Sequence, residues 1–325
     1  MATAEPGPCS DGSTVGRVEL DPDAVQRFLV DRLGLPATEV ELIGKGAWSD
    51  CFAFRSDDFH YVIRIGPYLD DFEKDRIAAA YAEPRLPIPR VLAVGNGLGG
   101  FYAISTRIHG SPLEVCAAND WPALVPSLVA ALEVLRTTVP TCNGWGVWGP
   151  TGDAPFASWR GFLLAVGDDP QDRRTHGWRA KLAARPAAAA SFASFFERLE
   201  TVAHDDVPRS LVHGDLVNRN VHVEAGRILG IFDWGCSMYG DSLYDLAWFE
   251  FWAPWHPNLD VGHLRSAVEA SWEQHGYLPE HHEQRRLACL LHIGLDHLAY
   301  NAHLDDWDVF DQVRDRLDAF AAGIG

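Results

Sequence analysis

Apolar residues along this chain recur first at helical spacing, then in short alternating runs, then at helical spacing almost to the end. Asp21 followed by Pro22 is an N-cap with proline at the first helical position. Val25, Phe28, Leu29 and Leu33 then mark one face, and Gly34 ends the helix. Val40, Leu42 and Ile43 lead into Gly44-Lys45-Gly46, and apolar runs at 51–54 and 60–65 flank a polar turn at Ser56-Asp57-Asp58. This pattern predicts an antiparallel meander. A helix over 70–81 follows, ended by Pro84, Pro87 and Pro89, and strands are expected at 91–94 and 102–106.

Beyond residue 107 the helical period dominates, over 121–138, 156–167, 187–203, 243–254, 261–276, 280–300 and 306–322. Only a strand at 210–212 and a hairpin over 221–232, turning at Glu224-Ala225-Gly226, interrupt it. The expected fold class is α+β and bilobal. Residues 1–18, rich in Gly, Pro, Ser and Thr, read as a flexible tail, 19–107 as a small β-rich lobe, and 108–325 as a larger helical lobe. Ligands favour the junction of two such lobes.

Composition narrows the function classes. The net charge of -18 argues against a nucleic-acid partner, because phosphate backbones call for excess Lys and Arg. It would suit a polycationic substrate, although an acidic soluble surface is common without one. Six cysteines lie scattered with no Cys-x-x-Cys pair, so neither a zinc site nor a disulfide framework is expected. The first residues lack the pattern of a signal peptide, and no apolar run is long enough for a membrane helix. The expected location is cytoplasmic, with no membrane partner. Nothing in the residues sets an oligomeric state.

The segment from Leu211 to Val221, followed by Ile231-Phe232-Asp233-Trp234, carries the chemistry. Phosphoryl transfer needs a carboxylate to orient the acceptor hydroxyl and take its proton, and oxygen ligands for Mg²⁺ on the nucleotide phosphates. Asp215 fits the first role. Asn220, five residues on, and Asp233, returned by the hairpin, fit the second. His213 reads as a satisfied, partly buried histidine rather than a proton carrier.

His213-Gly214-Asp215, four residues, Asn220 and then Phe232-Asp233-Trp234 resemble the signature of the aminoglycoside phosphotransferase family. That family shares its fold with protein kinases, so the resemblance implies a protein-kinase-like architecture. Longer stretches, including FDWGCSMYGDSLYDLAWFEFWAPW, LPIPRVLAVG, YVIRIG and LHIGLDHL, are similar to the subgroup acting on hygromycin B. It implies ATP or GTP as donor, Mg²⁺, and a small-molecule antibiotic as acceptor. Gly44, Gly46 and Ser49 fall where a kinase covers the phosphates. Arg64 stands where kinase-like proteins carry a lysine, and its guanidinium can fork onto phosphate oxygens. Its acidic partner is Asp75 or Glu73. Backbone groups near Ser105 and Arg107 would meet the purine.

For the acceptor, carboxylates and aromatic faces are wanted. Trp234, Asp241, Glu250, Trp252 and Asp296 are the candidates. Trp248, Trp252 and Trp255 share one helix face, for which core packing is the plainer reading, and Glu250 lies on the other, so one face meets the core and the other the cleft. Asp245 reads as an N-cap, and a buried pair with His292 is the plain alternative for Asp296. The expected function is an antibiotic O-phosphotransferase acting on an aminoglycoside, hygromycin B-like first. The alternatives are the same chemistry on a nucleoside antibiotic, a macrolide or a metabolic alcohol of the choline or homoserine type, and a non-catalytic kinase-fold binding protein. A protein kinase is disfavoured, since no Asp-Phe-Gly to Ala-Pro-Glu segment occurs.

Overall fold

In the computed structural model, which describes residues 20–46 and 48–323, the first helix starts where its cap dictates. Asp21 Oδ1 accepts the Ala24 N–H at 2.6 Å, and α1 (Pro22–Arg27) runs on as a wider turn to Arg32. Gly34, at φ +67°, ends it. The tail read over 1–18 lies outside the described residues.

Five strands, β1 (Ala37–Lys45), β2 (Asp50–Ser56), β3 (Phe59–Gly66), β4 (Val91–Gly97) and β5 (Gly100–Thr106), form one antiparallel sheet in the order β1-β2-β3-β5-β4. The two-residue period sorts its faces. Phe52, Phe54, Ile63, Ile65 and Ile104 point to one side and pack with Val25 and Leu29 of α1. Cys51, Val62, Arg64, Ala103 and Ser105 alternate with them and face a cavity on the other side. One sheet therefore serves both as a core wall and as the roof of a binding site. The helix after β3, α2 (Leu69–Ala78), lies beside that roof.

The helical part was legible in outline. Its elements are β6 (Ser111–Pro112), α3 (Trp121–Thr137), β7 (Gly146–Val147), α4 (Trp159–Leu164), α5 (Trp178–Ala183), α6 (Pro186–Val202), β8 (Ser210–Val212), β9 (Val221–Glu224), β10 (Arg227–Ile231), β11 (Met238–Gly240), α7 (Leu243–Trp252), α8 (Val261–Gln274), α9 (His282–Leu304) and α10 (Trp307–Ala321). β6, β7 and β11, each two or three residues long, are additional to the strands expected from the sequence. They join neighbours into two small sheets, β10-β9-β6 and β7-β11-β8. The six-residue α5, bounded by Gly177 at φ +96°, is likewise additional to the expected helices. No helix among the described residues is long and apolar enough to cross a membrane.

One expectation fails here. The reading of α7 gave it a core face and a cleft face, but all ten of its residues are buried. A helix apolar all round belongs in the interior of a lobe. Trp248 and Trp252 consequently pack on His297 of α9 at ring distances of 5.5 and 4.7 Å.

The small sheet under α4 offers a packing test. A Cβ at Gly240 would sit 2.2 Å from the fully buried ring of Trp159. Gly240→Ala should therefore cost about 1–3 kcal/mol through overpacking. An unchanged urea midpoint and slope would contradict this close approach.

Candidate active site

β8 delivers His213, Gly214 and Asp215 to the junction of the two lobes, and main-chain bonds fix them there. Gly214 adopts φ +78°, and a Cβ would lie 2.8 Å from the Cys236 carbonyl, so glycine is required. His213 Nε2–H donates to the Phe232 carbonyl at 2.8 Å, which leaves Nδ1 to accept the Asp215 N–H at 3.2 Å. Burial pulls the His213 pKa down to about 4, so the ring is neutral. The expectation of a structural histidine holds.

Asp245 does something other than cap its helix. Its two oxygens accept the His213 N–H at 3.0 Å and the Gly214 N–H at 2.8 Å. Burial pushes its carboxyl up to about 6 despite these two donors. An acid near a helix start looks like a cap in sequence, and only the fold reveals that it faces another loop.

Asp215 is almost fully buried. Its Oδ1 accepts the Asn218 amide at 2.7 Å and its Oδ2 the Asn220 amide at 2.9 Å. Burial raises its carboxyl well above the ordinary range, while the two amides pull against that rise. Asn218 and Arg219 both sit at positive φ, 62° and 67°, which turns the loop tightly enough for both amides to reach one carboxylate. Asn218 was not anticipated; its signal was a polar amide three residues past the acid.

Because Asn220 turns its nitrogen toward Asp215, its Oδ1 meets no donor among the described residues. Asp233 occupies a left-handed turn at φ +54°, its side chain half-exposed, with Arg64 at 3.5 Å. The Phe232 N–H bonds the Asn220 carbonyl at 2.8 Å and ties the two segments together. An amide oxygen and a carboxylate, both hard donors facing one cavity, suit Mg²⁺, which keeps several of its waters.

That cavity measures about 530 Å³. Gly44, Gly46, Ser49, Arg64, Asp75 and Ser105 line its upper side, and Asn220, Asp233 and Trp234 its lower side. Arg64 chooses Asp75 at 2.6 Å, whereas Glu73 pairs with Arg76. The second Asp75 oxygen accepts the Trp234 N–H at 2.9 Å and so links roof to floor. Burial opposes the Arg64 charge, but Asp233 and Asp75 outweigh it and keep the guanidinium protonated. Arg107 does not line the cavity. Its N–H goes to the His60 carbonyl at 3.0 Å and its guanidinium to Glu41, both outside the cavity lining. Ser105, Thr106 and Ile108 line the wall at that end.

The acceptor candidates separate. Trp234 is buried against His213 at a ring distance of 4.7 Å, supporting the catalytic loop at the cavity edge. Asp241 is sealed in a bidentate pair with Arg285 at 2.6 and 2.7 Å, the two side chains 0% and 2% exposed. Glu250 is likewise buried on Arg286, at 2.6 Å, and Trp252 sits among Trp248, Phe251 and His297. All three lie in the interior of the helical lobe. Asp296 keeps 43% of its side chain exposed and pairs with Arg173 at 2.6 Å. Its expected histidine partner, His292, bonds Tyr244 instead, at 2.9 Å. Burial acts to raise the Asp296 carboxyl, but Arg173, His297 and His292 hold it below the usual range.

A family model described as the phosphotransferase enzyme family matches residues 39–286, so the chain belongs to that family. The hygromycin-B 4-O-kinase of Escherichia coli is 29% identical over 311 residues, spanning 93% of this chain and 85% of that protein. The crystal structure of aminoglycoside phosphotransferase APH(4)-Ia is 28% identical and superposes with a TM-score of 0.78, covering 92% of this chain and 98% of that one. A thermostable mutant of it, in a ternary complex with AMP-PNP and hygromycin B, is 29% identical with a TM-score of 0.77, covering 91% and 97%. The chain thus has the kinase-like aminoglycoside phosphotransferase fold and is a phosphotransferase.

The separation of the acids is testable. Asp241→Ala leaves Arg285 buried and unpaired and should cost about 3–5 kcal/mol of stability, read by urea denaturation. Nucleotide affinity of the folded protein should not change. Native stability with lost acceptor affinity would return Asp241 to the acceptor site.

Proposed function

We propose that this member of the phosphotransferase enzyme family moves the γ-phosphate of ATP or GTP to a hydroxyl of an aminoglycoside and so confers resistance. Hygromycin B is the first acceptor to test, and its 4-hydroxyl the first position, by analogy with the Escherichia coli relative. The observation that carries this reading is the buried Asp215 carboxylate, held by two amides beside the free Asn220 oxygen and the Asp233 carboxylate. A protein that merely binds nucleotide has no use for such an acid.

In this reading residues 19–107 form the nucleotide lobe, residues 108–325 carry catalysis and the acceptor site, and the enzyme works in the cytoplasm. Gly44, Gly46 and Ser49 cover the phosphates, and Ser105 lies at the base end. Arg64, fixed by Asp75, directs its charge at the phosphate oxygens. Asn220 and Asp233 hold Mg²⁺, which when bound neutralises developing phosphate charge. Asp215 orients the acceptor hydroxyl and takes its proton as the oxygen attacks phosphorus. Its raised proton affinity, a result of burial, suits that task.

Asp215→Asn should lower turnover of hygromycin B by about 10²–10⁴-fold, the range for a lost general base, while AMP-PNP binding persists. A coupled nucleotide-consumption assay, with mass spectrometry for the phosphorylated product, reads this. Near-normal turnover would sink the assignment of Asp215, and consumption of only a neutral nucleoside antibiotic would sink the acceptor class. Asn220→Ala should raise the Mg²⁺ concentration needed for half-maximal turnover; an unchanged requirement removes Asn220 from the metal site.

A further inference from the structure

The helical lobe contains two kinds of acid, and their pairing decides which can meet a ligand. Asp241 and Glu250 are locked to buried arginines. Removing a partner from such a pair strands a buried charge, so no ligand can replace Arg285 or Arg286 cheaply. Asp296 and Arg173 are different. Their side chains are 43% and 23% exposed, and a solvent-accessible ion pair is weak enough to be exchanged for another cation.

Arg173 also has somewhere else to stay. It comes from the 168–177 loop, and its Nη1 donates to the Asp168 carbonyl of that loop at 3.2 Å. The loop is braced without it: the Asp169 carboxylate accepts the Gly177 N–H at 3.0 Å and the Arg179 N–H at 3.2 Å. The next residue, Arg174, reaches the nucleotide lobe, where it forks onto Asp71 at 2.9 and 3.1 Å and lies 3.7 Å over the Tyr68 ring. Arg173 can therefore swing off Asp296 while its neighbours stay anchored. The second oxygen of Asp296, Oδ2, meets no donor among the described residues, so the carboxylate already has room for an incoming N–H.

We propose that Arg173 is a resident counter-cation that occupies Asp296 until an ammonium group of a cationic acceptor displaces it, which makes the 168–177 loop a selectivity element of the acceptor site. This rests on the aminoglycoside reading above. A neutral polyol cannot compete for Asp296, so it leaves Arg173 in place and gains nothing from the acid. A polycation exchanges one pair for another.

The test is calorimetry on the full chain loaded with AMP-PNP and Mg²⁺, with two probes. Hygromycin B is the first. Spermidine, a trication without a hydroxyl, is the second, and it reports on the acid even if no sugar is phosphorylated. Arg173→Gln should tighten both by roughly 2- to 5-fold, the range that a part-exposed ion pair allows. Asp296→Asn should weaken both, and in that background Arg173→Gln should have no effect. An equal gain in the Asp296→Asn background means general charge removal and overturns the proposal, as does unchanged or weaker binding of both probes to Arg173→Gln. If spermidine responds and hygromycin B does not, the acceptor reading fails and the role of Arg173 stands.

Discussion

Two hydrogen bonds from main-chain N–H groups of His213 and Gly214 to the Asp245 carboxylate set the position of everything that reacts. Asp245 is on α7, which is buried on every side, so its carboxylate is a fixed point rather than a mobile surface acid. From there a chain of contacts closes on itself. His213 holds the Phe232 carbonyl, Asp233 follows Phe232, Arg64 approaches Asp233, Asp75 holds both Arg64 and the Trp234 N–H, and Trp234 packs on His213. The members of this circuit come from both lobes. Apart from the half-exposed Asp233, its members are largely buried, which makes each bond among them strong and each unpaired group costly.

The same low-polarity setting explains the protonation pattern. Burial depresses the charged form of His213, which leaves a neutral ring able to donate to a carbonyl and accept from an amide. It also raises the proton affinity of Asp215, whose charge the Asn218 and Asn220 amides support. The catalytic loop therefore joins rigid backbone geometry to a carboxylate prepared to receive a proton.

Much of this was legible before any coordinates, because the relevant spacing is local. Asp215 and Asn220 lie five residues apart in one loop, and the 221–232 hairpin necessarily brings Asp233 back beside them. The apolar runs at 51–54 and 60–65 around a polar turn likewise announced the antiparallel meander. What could not be read was the pairing of acids with bases far away in sequence. Asp241 meets Arg285 and Glu250 meets Arg286, partners 44 and 36 residues distant, and those pairs bury both acids. Nor could spacing show that Asp245 turns toward a loop 31 residues back, or that the Arg107 N–H belongs to the strand ladder. Formal charge counts acids. Function depends on which of them remain available.

The central claim is that Asp245 positions the catalytic loop through its two accepted N–H bonds. Its most direct test is Asp245→Asn, in which the amide nitrogen would face one of those donors. The account predicts a folded protein that binds AMP-PNP normally, with kcat lowered by about tenfold or more, as a loss of 1.4 kcal/mol or more in transition-state alignment requires. A folded Asp245→Asn protein with full kcat would contradict it.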